Sequence, residues 1–118
     1  MIQTEIRDGI LVATFAPWTR PFVRRAEMRV PLTAIREVRV EANPQAVATG
    51  THAGLLVSGF IKVGTWTGLN GVRRLVCARR DLSGVRIVLT GRTENVDELV
   101  LSVPDAPGLQ AEIMGANA

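Results

Sequence analysis

The dipeptide Asp8-Gly9, set between two alternating apolar runs, constrains this chain most. A two-residue type I′ turn needs positive φ at both central positions, and Asp-Gly adopts it at low cost. Register follows from the turn. Arg7 pairs with Ile10, which sets Ile6 opposite Leu11, Thr4 opposite Ala13 and Ile2 opposite Phe15 on one face, with Gln3, Glu5 and Arg7 on the other. A one-residue slip would carry the whole apolar set into water, so turn and pattern agree. The chain begins as an antiparallel hairpin, and the residues after it have to cover its apolar face.

The same period continues. Pro17 and Pro21 end the pairing around Trp18, because proline has no N–H to give to a ladder. Ala26, Met28 and Val30 then alternate with Arg25, Glu27 and Arg29. Leu32 and Ile35 lie in a single turn that faces the core, and Val38, Val40 and Ala42 alternate with Glu37, Arg39 and Glu41. Residues 43–54 carry Pro44, Gly50 and small side chains and read as the main loop, the least ordered part of the chain. Residues 55–63, apart from Ser58 and Lys62, are apolar on both parities and interrupted by Gly59, which reads as one buried strand with a bulge or bend. Residues 72–78, 85–90 and 99–103 read as three more short strands, with turns at 81–84 and 91–95. After Pro104, Asp105 caps a helix over 105–114 whose Ala106, Leu109 and Ile113 share a face. A helix that short is stable only when docked on a sheet. The expectation is one domain over residues 1–118, mainly β with an α+β character. It has about seven strands in a two-sheet antiparallel sandwich or partly open barrel, plus one C-terminal helix.

Composition narrows the function classes. The longest stretch dominated by apolar residues, 53–61, has nine residues with Ser58 among them, against the roughly 20 that a spanning helix needs. The first residues carry Glu5 and Asp8 in place of a basic stretch and an apolar run, so a cytoplasmic location is expected. A single cysteine, Cys77, leaves no intrachain disulfide, and a single histidine, His52, argues against a structural zinc site; neither metal nor cofactor is expected. Thirteen of the 14 basic residues are arginine, with Lys62 the exception. That bias fits either a phosphate-binding surface, since arginine makes forked bonds to phosphate, or a coding sequence rich in G and C. Residues 1–92 hold all 14 bases against six acids (+8), and residues 93–118 hold Glu94, Asp97, Glu98, Asp105 and Glu112 with no base (−5). Such asymmetry steers a partner or favours self-association, unless the fold neutralises it internally.

Several stretches carry a resemblance. They are Glu5-Ile6-Arg7-Asp8-Gly9-Ile10-Leu11-Val12, Arg29-Val30-Pro31-Leu32-Thr33-Ala34-Ile35-Arg36-Glu37-Val38, Gly50-Thr51-His52, Gly64-Thr65-Trp66, and Asp97-Glu98-Leu99-Val100-Leu101-Ser102-Val103-Pro104-Asp105-Ala106. Together they resemble a bacterial pleckstrin-homology-like (PH-like) family found as small actinobacterial proteins. The resemblance implies a seven-stranded, two-sheet sandwich with one end plugged by the helix, and it brings no catalytic motif with it. Fold alone does not license a function.

Candidate chemistry is sparse. His52, in a glycine-flanked loop, reads as a structural hydrogen-bonding residue or as a general base or pH sensor. Cys77, between Val76 and Ala78, reads as a small core residue, because a reactive thiolate needs a cationic or helix-terminal setting. Gly64-Thr65-Trp66-Thr67-Gly68 lies between strands and makes a poor phosphate cradle. Its Trp66 either folds over the barrel end or, with Thr65, lines a ligand or peptide groove. Arg24-Arg25 and Arg73-Arg74 cannot present both guanidiniums on one sheet face, since neighbours in a strand point oppositely. Arg79 and Arg80 precede a turn and both reach solvent, either as part of a basic rim or as ordinary solvated charge.

No nucleophile with its base and no acid–base pair can be assembled, so a non-enzymatic role is expected. The leading expectation is a binding or scaffold module that engages a protein partner or a second copy of itself as a homo-oligomer. The alternative is a peripheral module that binds the anionic head groups of a membrane surface through its arginines. Nucleic-acid binding is disfavoured: two Trp, three Phe and no Tyr make a poor stacking surface.

Overall fold

The computed structural model describes residues 2–57 and 60–116. In chain order the elements are β1 Ile2–Arg7, β2 Ile10–Phe15, α1 Arg20–Val23, β3 Glu27–Pro31, β4 Ile35–Glu41, β5 Thr51–Val57, β6 Ile61–Thr67, β7 Arg73–Arg79, β8 Gly84–Thr93, β9 Val96–Ser102 and α2 Ala106–Ala116. They form a three-stranded sheet, β1-β2-β3, and a six-stranded sheet, β4-β8-β9-β7-β6-β5. Neighbouring strands are antiparallel except β7 and β9, which run parallel. The fold is mainly β within the α+β class, with α2 packed on the larger sheet.

The opening hairpin has the register that its turn dictates. Asp8 and Gly9 have φ of 53° and 74°, and Arg7↔Ile10, Ile6↔Leu11, Thr4↔Ala13 and Ile2↔Phe15 are the pairs. Leu11 and Phe15, with Met28 and Val30 of β3, meet Val63, Leu75, Cys77, Val85, Ile87, Leu99 and Leu101 of the larger sheet in one buried core. Leu32 and Ile35 cover its margin, and Ala106, Leu109 and Ile113 of α2 close it. Asp105 caps α2: its Oδ1 accepts the Gly108 N–H at 3.0 Å. The absence of a side chain at Gly108 leaves room for this cap, because a Cβ there would lie 2.1 Å from Asp105 Oδ2 and push the carboxylate aside. The helix starts one residue after its cap and runs two residues past the expected end, to Ala116.

The structure corrects several expectations. Nine strands are formed among the described residues, not about seven. The apolar run 55–63 is not one strand: Leu55 to Val57 end β5, Ile61 to Val63 begin β6, and the Phe60 N–H bonds the Val57 carbonyl at 2.8 Å to make the turn. Gly59, read as a bulge, lies outside the described residues. The turn expected over 91–95 narrows to Glu94-Asn95, with φ of 49° and 70°, and Gly91 lies inside β8, where the register with β9 shifts. Val40 and Ala42 are exposed because they run past the margin of the core. The proline-rich stretch after β2 forms a short 3-10 turn and α1, which seats Val23 in the core.

Residues 43–54 are the largest correction. Residues 51–54 belong to β5, and Pro44–Val47 form a 3-10 turn. The reason is topological. β4 and β5 are consecutive in the chain yet occupy opposite edges of the six-stranded sheet. Five strand spacings of ~4.8 Å separate them, about 24 Å, and the nine residues 42–50 extend to roughly 30 Å. With so little slack the segment becomes a strap across the outer face. It buries Ala48 against Trp66, Val76, Ala78 and Val100, a second small core on the side of the sheet away from the first. Lys62 Nζ ties it down, donating to the carbonyls of Gln45 at 3.2 Å and Ala48 at 2.9 Å.

Two glycines separate backbone strain from crowding. A Cβ at Gly9 meets nothing within 4 Å, whereas one at Gly84 would lie 2.0 Å from the Leu101 carbonyl oxygen. Gly9→Ala should therefore cost about 1 kcal/mol in a urea titration, from the left-handed backbone alone. Gly84→Ala should cost more, because β8 and β9 have to separate.

Candidate functional site

The outer face of the larger sheet carries a row of side chains set by strand register. His52, Trp66, Arg74, Glu98, Val88 and Glu37 lie side by side across β5, β6, β7, β9, β8 and β4. Position parity puts all six on one face.

At the β5 end, His52 stacks on Trp66 with ring centroids 4.9 Å apart and planes 15° from parallel. Trp66 is 2% exposed, enclosed by His52, the strap and the 5.8 Å approach of Lys62 Nζ to its ring. Two expectations change here. His52 is a residue of an edge strand, not of a loop, and Trp66 lies under the strap on the sheet face, not folded over a barrel end. Thr65, its neighbour in β6, points to the opposite face and does not join the pair.

At the centre of the row sits a buried ion cluster. Glu98 accepts Arg74 Nε at 3.1 Å and Arg86 Nε at 2.7 Å, and its second oxygen accepts Arg86 Nη2 at 3.3 Å. The Glu98 side chain is 8% exposed and that of Arg74 is 11% exposed. Burial pushes the Glu98 carboxyl up, but the hydrogen bonds and charges of Arg86 and Arg74 outweigh it and hold the group below the usual carboxylate range. The Arg86 guanidinium is raised in turn, first by its hydrogen bond to Glu98. Reading residue types in order along the chain misses this cluster. Its one signal is an acid at the start of the apolar run of β9, and its two cations come from β7 and β8, which follow one another in the chain but stand on opposite sides of β9 in the sheet.

The remaining candidates lie apart. Arg79 pairs through Nη2 with Asp81 at 2.8 Å, and the Arg80 N–H bonds the Phe60 carbonyl at 2.8 Å. Both stand at the end of β7 away from Trp66, five residues or ~16 Å along the strand from Arg74, so they do not join His52 and Trp66 in one site. Cys77 is fully buried, and burial pushes its thiol up to about 11, which suits a core residue and not a nucleophile. A shallow cleft of about 580 Å³ lies beyond Arg74, lined by Thr49, Gly50, Gly68, Leu69 and Asn70. A second, of about 380 Å³, lies at the far end of the hairpin around Phe15, Pro17 and Arg20. Neither brings a nucleophile to a base.

The four sheet edges differ. β3 is charged, ends in Pro31, and has its Arg29 N–H taken by the Glu94 carboxylate at 3.2 Å. β4 alternates charges, and Gln110 of α2 donates to its Val38 carbonyl at 2.9 Å. β1 carries Glu5 and Arg7, paired at 3.3 Å, on its outer face. These are the usual ways in which proteins blunt an edge. β5, with the sequence Thr-His-Ala-Gly-Leu-Leu-Val, has no charged residue and no proline, and no bond to its outer edge is made among the described residues. Leu56, Val57 and Phe60 beside it are 46%, 44% and 42% exposed.

Two acids of the acidic segment pair with cations of the same chain among the described residues, Asp97 with Arg92 at 3.2 Å and Glu98 with Arg74 and Arg86. A third, Asp105, serves as the cap of α2. Comparison with known proteins finds no matching family model, no similar curated protein and no similar solved structure.

This geometry predicts two measurable outcomes. Glu98→Gln should destabilise the protein by about 3 kcal/mol at pH 7, since it leaves two half-hidden arginines without their carboxylate. Because folding lowers the Glu98 pKa, its contribution is complete above the unfolded carboxylate value and is lost as pH falls through the folded one. The gap between wild type and variant in urea midpoints should therefore narrow below about pH 4. Separately, a Trp18→Phe variant leaves Trp66 as the sole indole, and its emission should be blue-shifted and should move to the red when His52→Ala uncovers the ring.

Proposed function

We propose that the chain is a non-enzymatic binding or scaffold module that accepts a strand from a protein partner, or from itself, along the outer edge of β5. The observation that carries this reading is the contrast between edges: three are charged, capped or covered, and among the described residues β5 is left with free backbone donors and acceptors beside exposed Leu56, Val57 and Phe60. Strand addition takes its affinity from such main-chain bonds and its selectivity from alternate side chains. His52, backed by Trp66, presents an aromatic surface on the same edge. Thr65, Arg79 and Arg80 are peripheral to this reading.

The two sheets with a docked C-terminal helix support a PH-like assignment. The six-stranded sheet and its parallel β7–β9 pair depart from the seven-stranded layout which that resemblance implies. The membrane-surface alternative has less support. Arg7, Arg29, Arg39, Arg74, Arg79, Arg86 and Arg92 are all paired with carboxylates, which leaves a thinner field for head groups.

A photo-crosslinking side chain at position 56 tests the reading in cells, with position 39 on the opposite edge as control. Adducts at 56 and none at 39 are expected. Equal adducts, or none at either, would sink the edge reading. Sedimentation with anionic vesicles at about 0.15 M salt that is abolished by replacing Arg79 and Arg80 with alanine would favour the membrane alternative.

A further inference from the structure

We propose that the strand β5 receives is β5 of a second copy of this chain, paired antiparallel about a twofold axis at Gly54. This rests on the reading of β5 as an accepting edge and commits that edge to one occupant.

Charge is the first argument. The protein carries a net +3, so two copies repel unless they meet where neither presents charge. Residues 42–61 contain no Asp, Glu, Lys or Arg, the longest such run in the chain, and β5 lies inside it. The strap and the β5 edge are thus the stretch along which two identical basic bodies approach without opposing like charges.

Self-complementarity is the second. An isologous contact places each residue against the mate that the axis assigns to it. With the axis at Gly54, Thr51 faces Val57 of the second copy, His52 faces Leu56, Ala53 faces Leu55, and Gly54 faces Gly54. At the crossing point, where the two backbones come closest, neither copy has a Cβ. On the outer face, Leu56 of each copy comes beside the exposed His52 ring of the other, the ring that covers Trp66. On the other face, the small Ala53 receives the larger Leu55, and Thr51 lies against Val57, two β-branched residues of similar size. Two six-stranded sheets become one continuous sheet, and the unguarded edge is removed from solvent. α1 packs on the core-facing side of β5 and β6, so it does not occupy the hydrogen-bonding edge.

The register makes a specific demand. Ala53 and its own symmetry mate are diagonal neighbours on one face, close enough for long side chains to interact across the axis. Sedimentation velocity on the full chain from low micromolar to high micromolar concentration is therefore run on wild type, Ala53→Lys and Ala53→Glu, and on an equal mixture of the two variants. Ala53 is exposed, so both variants keep the fold, which circular dichroism verifies. A wild-type dimer that weakens by about tenfold or more in each variant and returns in the mixture is the expected result. A monomer throughout overturns the proposal, and so does a dimer indifferent to both substitutions. The crosslinking arm separates the two levels. Adducts at position 56 of a mass other than twice the chain, with a monomeric purified protein, would discard self-pairing and keep β5 as an edge that binds another protein.

Discussion

The carboxylate of Glu98 fixes how the centre of the larger sheet is assembled. It stands on β9, directly opposite Arg74 of β7 and diagonal to Arg86 of β8, so one side chain spans three strands. A slip of β9 by one residue would turn Glu98 into the core among Leu75, Val85 and Ile87, while Leu99 and Leu101 moved to the outer face. Burying a charged cluster gains little stability over a well-packed apolar one. Its effect here is on choice of register: β7, β8 and β9 are otherwise valine- and leucine-rich strands that would pair almost equally well in neighbouring registers.

From that fixed centre the two faces take their roles. The inward face meets the small sheet and α2. The outward face holds the ion cluster in the middle and, beside it, the hollow that the strap fills with Ala48. The strap is ordered because its ends are pinned at opposite edges and because Lys62, the only lysine, reaches back to two of its carbonyls. A lysine ammonium on a four-carbon stem suits that task, since it can turn its donors to two carbonyls that lie in different directions.

What is legible in the sequence is local. Asp8-Gly9 and the alternation around it determine a hairpin within fifteen residues, and Asp105 with the spacing of Ala106, Leu109 and Ile113 determines the capped helix. Cys77 reads as a core residue from its two neighbours. The strap does not read as ordered, because Pro44, Gly50 and small side chains are what a loop contains, and its anchors lie in other strands. The turn over 91–95 is legible, but not its exact place: Gly91 draws attention to its start, while Glu94 and Asn95, which take positive φ, carry no glycine to mark them. His52 and Trp66 stand out separately, but their stacking depends on the β5–β6 register, which a reading of 55–63 as one strand conceals.

The position of β9 also bears on how the protein is made. It is the last strand among the described residues and it lies in the middle of the sheet, between β8 and β7. While the chain is emerging from the ribosome, the β5-β6-β7 ribbon is complete before its neighbour β9 exists, and β4 with β8 forms a second, separate ribbon. Each nascent ribbon ends in a bare apolar strand until residue 102 is available to join them. Completion of the larger sheet thus waits for β9, which joins β8 through a short turn and β7 across 24 residues. A chain truncated before β9 is left with two sticky halves in place of one sheet.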